Sequence, residues 1–352
     1  MIQFVREWPP GSGGVERVAH QLASQFWLRQ HSSDVIALAR PSSMNLLPLQ
    51  YKRISLLSWQ VGKVLIPIDV PSLFNVLFKK DDLLFHLPCP TLFAIAVLAR
   101  VIRPKRAIFF YWHAFLESEL AWINRLISCY ERAVLLFAQK ARSIIVTTSP
   151  VLAQSLIARG ALREDIRILP CALSLEQEEI AAKASRTEAQ LIHLSSDGLP
   201  LKIVFVGRLT EYKRIDWIID FIQNGLNATL DVIGWGPLAH RLIKQAGSTV
   251  TNAQVKFHGV LPEKEKLALV ADSDILVLPF STKHEAFGIV QLESMVCGVP
   301  SITLDIDDSG AAWVAGTAKF FDFPINSKQQ LCDALEIIEY RRDLLIQLRQ
   351  HA

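Results

Sequence analysis

Two acids with a fixed spacing are the first residues in this sequence that could do chemistry. Glu285 and Glu293 stand in KHEAFGIVQLESMVCGVPSI, residues 283–302, with seven residues between them and apolar residues around both. Ile275–Leu278 reads as a buried strand and residues 279–287 as a loop. Gly288 opens a helix through Val296, which Gly298 and Pro300 end. The helix start at Phe287, Gly288 and Ile289 then offers unpaired backbone N–H groups and a positive dipole end, which suits phosphate. Glu285 falls beside that position and Glu293 about two turns deeper. Two carboxylates so placed can accept hydrogen bonds from sugar hydroxyls on either side. Taken alone, the spacing more often marks a surface loop acid and a solvated helix acid, so its companions decide.

The companions are cationic and glycine-rich. In VFVGRLTEYKRID, residues 204–216, Gly207 ends a strand, and Arg208 and Lys213 follow at the junction with a helix. A diphosphate needs such donors there: arginine as a planar fork, lysine as a mobile point charge. In PPGSGGVER, residues 9–17, Gly13 and Gly14 open another helix after a strand, a second turn that can bind an anion. His113, in FYWHAF, follows a strand and can hydrogen-bond a sugar hydroxyl or move a proton. Gly234 and Gly236 form a GxG that lacks the third glycine of a dinucleotide fingerprint, which argues against a nicotinamide dehydrogenase. Asp272–Asp274 precedes a strand and Asp305–Asp307 follows one. Either pair could hold Mg²⁺ or Mn²⁺, but without further clustered ligands no metal is expected.

Loops of this kind require parallel sheets behind them. Strand patterns cover Ile2–Val5, Val35–Ala39, Leu83–His86, Arg106–Tyr111, Ser143–Thr147 and Ile166–Leu169. They resume at Lys202–Val206, Thr229–Ile233, Val255–His258, Ile275–Leu278 and Pro300–Leu304. Helical patterns such as Gly14–Arg29, Trp122–Lys140, Lys213–Gln223, Leu238–Ala246 and Lys264–Ala271 alternate with them. Near-continuous apolar strands between helices predict α/β sheets covered on both faces, with ligands beyond the carboxyl ends of the strands. The pattern restarts after the polar stretch Ala182–Pro200. Two Rossmann-like domains are therefore expected, residues 1–183 and 184–352, with a cleft between them.

The chain's 352 residues, 51% hydrophobic and 20% charged, suffice for two cores. Its five scattered cysteines suit a reducing compartment and buried thiols rather than a disulfide framework or zinc site. The opening residues are too short an apolar run for a signal peptide, and Leu83–Ile102 is too interrupted to cross a membrane. Residues 1–190 carry 22 basic and 15 acidic side chains, an excess of seven, and residues 191–352 carry 15 and 19, a deficit of four. The basic half could face an anionic surface. Within it, RLISCYERAVLLFAQKAR, residues 125–142, places Arg125, Arg132 and Lys140 on one side of a helix. Ile127, Tyr130, Val134, Phe137 and Ala141 fall on the other.

The blocks Gly13–Glu16, His86–Pro88, Trp112–His113, VGRLTEYKR, VIGWGPL, FHGVLP, DSDILVLP and HEAFGIVQLESMVCGVP occur in one order. Together they resemble the retaining, nucleotide-sugar-dependent glycosyltransferases of family 4, over roughly residues 2 to 320. The resemblance implies the GT-B fold and transfer of a hexose to a glycan acceptor, which a lipid could carry. A cytoplasmic enzyme is expected, which the basic half could set peripherally on the inner membrane face, with no nucleic-acid partner and no cofactor. By the same resemblance, Arg208 and Lys213 bind the donor diphosphate, Glu293 the ribose, and Phe287, Gly288 and Ile289 the sugar and distal phosphate. Glu285 lies at the reaction centre, and His113 contacts the transferred sugar. Gly13 and Gly14 lie near the diphosphate and acceptor, and His258, Gly259, Val260 and Leu261 cradle the base. Ala114 and Phe115 stand where relatives often carry a small polar residue and an acid. SGAAWVAGTAKFF, residues 309–321, blurs a glycine-rich block, and a single closing helix is expected over Gln329–Arg349. A non-catalytic sugar-nucleotide-binding protein of the same fold is the competing reading, and the joint presence of Arg208, Lys213 and Glu285 opposes it.

Overall fold

The computed structural model describes residues 1–9, 13–38, 49–62, 64–184, 198–247 and 254–352. The chain divides into two units, Met1–Ala172 and Leu173–Ala352. The division thus falls eleven residues before the one expected at 183/184, because the helix Leu175–Ala184 packs on the helices Glu263–Ala271 and Ile289–Val296 of the second unit. Gln177 adds a 2.7 Å hydrogen bond to Glu263 there. Residues 185–197 of the expected linker lie outside the described residues, as do 39–48.

In the first unit, seven parallel strands take the order β3-β2-β1-β6-β7-β8-β9. They are β1 (Ile2–Val5), β2 (Asp34–Ala37), β3 (Arg53–Ser55), β6 (Leu83–Leu87), β7 (Ile108–Trp112), β8 (Ile144–Thr147) and β9 (Ile166–Ile168). Every residue of β1 and β6 is buried, as strands covered on both faces require. The helix Pro150–Ala158 starts where its sequence prescribes: the Ser149 hydroxyl accepts from the Leu152 amide, and proline fills the first turn. β4 (Ser58–Val61) and β5 (Val64–Pro67) form a separate antiparallel hairpin that the strand reading missed.

The second unit has a five-stranded parallel sheet, ordered β12-β11-β10-β13-β14. Its members are β10 (Leu201–Val206), β11 (Ala228–Ile233), β12 (Val255–Gly259), β13 (Ile275–Leu278) and β14 (Ser301–Thr303). The closing helix is two helices, Lys328–Tyr340 and Arg342–His351, separated by the non-helical backbone of Arg341. The break lets Arg342 and Arg349 reach the buried Asp274 at 3.5 and 3.7 Å. Asp272 pairs with Lys202 at 3.0 Å. Asp272–Asp274 therefore fastens the amino edge of the sheet.

Both sheets reverse strand order once, between β1 and β6 and between β10 and β13. Loops leaving the carboxyl ends of strands flanking such a reversal diverge and leave a crevice for ligands. The loops after β10 and β13 carry Arg208, Lys213 and Glu285. Those after β1 and β7 carry Gly13, Gly14 and His113.

Candidate active site

In the second unit, the loops after β10 and β13 are bound to each other. Lys213 does not open the helix, as the sequence pattern suggests, but ends a 3-10 turn, Glu211–Lys213. Arg214 then takes a left-handed conformation, φ 46°, before the helix Ile215–Gln223. The turn tucks Lys213 into the protein, where its ammonium forms an ion pair with the Glu285 carboxylate. The Ser281 amide donates to the Tyr212 carbonyl at 2.9 Å, which holds the loops in register. The residues assigned to phosphate and to sugar are thus in direct contact. Arg208 is exposed.

Glu285 is held from three directions that the sequence reading did not identify. Ser309 donates its hydroxyl to the Glu285 carbonyl, and the Gly310 amide donates to the Ala286 carbonyl at 2.8 Å. Lys283 and Asp308 pair at 3.6 Å. The blurred glycine-rich block at 309–321 therefore begins with residues that fasten this loop. Beneath it, buried Gln291 donates to the carbonyls of Phe287 (2.9 Å) and Ala311 (3.1 Å) and accepts from Ser301 (2.9 Å). Gly288 caps the helix Ile289–Val296 with φ 71°, and a Cβ there would press on Gln291 and Leu278. Phe287 is buried, and the first amides of the helix have no acceptor within it.

Glu293 departs from expectation. Its side chain is 1% exposed, and Lys266 lies 2.8 Å from its carboxylate. Lys266, from the helix Glu263–Ala271, also pairs with Glu263 at 2.8 Å. A carboxylate at that depth needs a cation, and the charged first turn of the neighbouring helix supplies one.

Nearby, His258 lies 2.6 Å from Asp231. The Gly259 carbonyl accepts from the Gly234 amide at 2.7 Å, Leu261 is half-buried, and Val260 is 80% exposed. A Cβ on Gly234 would overlap the Gly207 carbonyl, and one on Gly236 the Leu209 carbonyl. The GxG thus serves close backbone approach between the loops after β10 and β11.

In the first unit, Gly13 caps the helix Gly14–Leu28, and both glycines are exposed. Pro10 to Ser12 lie outside the described residues. His113 follows β7, its amide bonded to the Leu87 carbonyl at 2.9 Å. Its ring is buried, stacked on Tyr111 with centroids 4.3 Å apart, and 2.8 Å from His86. Burial pushes the His113 pKa down to about 3, so the ring is neutral. Burial, and then the neighbouring His113, hold His86 well below the usual histidine value. Phe115 is fully buried beneath the Arg159 guanidinium, 4.1 Å from the ring centroid, so this position serves packing.

Asp305 and Asp307 are exposed after β14, and among the described residues no three His, Cys, Asp or Glu side chains group to hold a metal ion. None of the five cysteines forms a disulfide, but against expectation Cys129 is exposed. No described helix is long and apolar enough to cross a membrane.

Comparison with known proteins agrees with this geometry in both units. Residues 12–177 match the family model Glycosyltransferase Family 4, and residues 190–350 match Glycosyl transferases group 1. The D-rhamnosyltransferase WbpZ of Pseudomonas aeruginosa is 24% identical over 297 residues, 84% of this chain and 74% of its own. The O-antigen chain mannosyltransferase C of Escherichia coli is 22% identical over 331 residues, 93% and 85% of the two chains. Among solved structures, Anabaena Alr3699/HepE in complex with UDP superposes with a TM-score of 0.72 at 16% identity, covering 99% of this chain and 92% of that one. WaaG, a glycosyltransferase involved in lipopolysaccharide biosynthesis, superposes at 0.65 with 17% identity, covering 99% and 93%.

Proposed function

Because the chain belongs to the group 1, family 4 glycosyltransferases and has their GT-B fold, we propose that it transfers a hexose, with retention, from a nucleoside-diphosphate sugar to a lipid-linked glycan of a surface polysaccharide. The observation that carries this reading is the cluster of Arg208, Lys213, Glu285 and the helix start at Gly288–Ile289 around one strand-order reversal. The relatives' descriptions as O-antigen mannosyltransferase and D-rhamnosyltransferase support the acceptor and sugar class. Nucleotide binding is supported by the neighbour solved with UDP.

As the glycosidic bond breaks, charge grows on the leaving diphosphate and the sugar becomes oxocarbenium-like. Arg208 and the amides at Gly288 and Ile289 meet the diphosphate, and Lys213 shifts from Glu285 to join them. Glu285, released from Lys213, then faces the cationic sugar with its charge uncompensated. The donor's arrival thus turns on the carboxylate that the resting ion pair keeps neutralised. Glu293, deeper in the same helix, serves the ribose end of the donor, and the 258–261 loop receives the base. These side chains and amides replace a metal ion.

We further infer that the first unit rests peripherally on an anionic inner leaflet. Residues 35–116 of that unit hold ten basic and three acidic side chains, an excess of seven. The same stretch carries the β4–β5 hairpin, whose paired residues Trp59 and Ile66, and Val61 and Val64, are all exposed. Basic charge beside exposed apolar side chains suits an anionic lipid surface.

Thermal shift against GDP-, UDP- and ADP-sugars, with and without EDTA, tests the reading. The true donor at a hundredfold excess over its Kd stabilises by about 2.7 kcal/mol, undiminished by EDTA. No stabilisation by any sugar nucleotide would overturn it.

A further inference from the structure

A chain of buried polar groups runs behind His113. The Gln3 amide nitrogen has two hydrogens and two acceptors, the Ala19 carbonyl at 3.4 Å and the Ser33 hydroxyl at 3.0 Å. A carbonyl cannot donate, so the NH₂ group must face Ala19, and the Gln3 oxygen faces the other way. That oxygen lies 3.0 Å from His86 Nε2, which must therefore carry a hydrogen. His86 is fully enclosed, with Gln3, Tyr111 and His113 around it and no charged partner, and it is neutral. A neutral imidazole protonated on Nε2 has only a lone pair on Nδ1. His113 Nε2 lies 2.8 Å from that lone pair and must donate to it. His113, also neutral, is then left with a lone pair on Nδ1, and that nitrogen has no hydrogen-bond partner among the described residues.

The polarity runs one way, from His113 through His86 and Gln3 to Ala19. We propose that Gln3 and His86 are positioning residues that hold His113 as its Nε2–H tautomer and so present Nδ1 as an acceptor to a hydroxyl of the transferred sugar. The sugar part of this inference rests on the glycosyltransferase reading above; the tautomer does not. The consequence is chemical. A hydroxyl that donates to a fixed lone pair gains electron density, which favours the positive charge growing on the sugar ring, whereas an imidazolium or an N–H at the same place would oppose it.

Long-range ¹H–¹⁵N spectra of the full chain labelled at histidine, with the His113 signals assigned by their loss in His113→Ala, read the tautomer directly. The expected result is a neutral ring protonated on Nε2, unchanged from pH 8 to pH 5. The Nδ1–H form, or an imidazolium at pH 6, would overturn the chain of hydrogen bonds. Gln3→Met removes the acceptor that sets the polarity. It should produce mixed His113 tautomers and lower kcat several-fold with little change in the acceptor KM. A residue that only fills space would change the melting temperature and leave the tautomer alone. The predicted tautomer combined with wild-type kcat in both Gln3→Met and His113→Ala would overturn its use in transfer. Absence of sugar transfer in the wild-type protein would reject the enzyme reading separately, with the tautomer result intact.

Discussion

At the scale of single residues, Lys213 and Glu285 neutralise each other in the resting protein. Lys213→Ala should cut kcat/KM about a hundredfold or more, roughly 3 kcal/mol of transition-state stabilisation, and Arg208→Ala should do the same. Steady-state kinetics with the best donor checks both, and near-wild-type turnover of both variants would remove the diphosphate assignment. Glu285→Gln should leave an unpaired ammonium and lower kcat more than it raises the donor KM. Glu293 is a different case, because its carboxylate has a structural duty to Lys266. Glu293→Gln should destabilise the fold by about 2 kcal/mol, less than the cost of a wholly unpaired buried charge because Glu263 still pairs with Lys266. It should also weaken nucleoside-diphosphate binding; chemical denaturation and calorimetry separate the two. If affinity is unchanged while stability falls, Glu293 supports the site without touching the ribose. The E-x7-E spacing was legible because a strand, a loop and a helix start each carry strong local signals. Lys266 was not, because a lysine three residues into an acidic helix start reads as a solvated charge until the neighbouring helix is known.

At the scale of elements, the helix Ala121–Lys140 resolves into two faces much as its periodicity predicts. Val134 is buried, the Tyr130 hydroxyl accepts from the Cys89 amide at 3.0 Å, and Phe137 packs edge-on against Phe93 and Phe110. The apolar face thus belongs to the core, and the outer face carries Arg125, Arg132 and Lys140 beside exposed Trp122, Leu126 and Leu136. Reversing the three cations to Glu should weaken binding to anionic liposomes by electrostatics alone, and the loss should fade as salt rises. Trp59→Ser with Ile66→Ser, on the hairpin, should weaken binding even at high salt, where apolar contact persists. Liposome sedimentation across salt concentrations distinguishes them, and equal partitioning onto neutral and anionic vesicles at low salt would remove the surface altogether. The hairpin was illegible because SWQVGKVLIP lacks a two-residue Asn-Gly or Asp-Gly signal, and its exposed apolar residues bury no face that would mark a strand.

At the scale of the whole molecule, sheet order was not legible, since strands announce themselves locally but their neighbours are chosen by packing far along the chain. Only the rule that parallel α/β sheets bind ligands beyond strand ends could anticipate where Lys213 and Glu285 meet. Global stability should nonetheless betray the first unit's interior. Below pH 6.5 the unfolded chain takes up protons at His86 and His113 that the folded chain refuses, so stability is full above that pH and falls as it drops. The expected loss is about 1.4 kcal/mol per histidine per pH unit, continuing for His113 until its folded pKa of about 3. Hydrogen exchange at the β6 and β7 amides should show it, and a flat profile between pH 7 and 5 would mean that both rings are open to protons. The glycines of the loop after β11 have a quieter effect on how such a protein can be studied. Alanine scanning assumes that it deletes atoms, but at Gly234 and Gly236 it inserts them into backbone already in contact. A scan would score these positions as essential although no side chain there touches anything. What descent must keep at this spot is negative space, a requirement that leaves the surrounding letters free to drift.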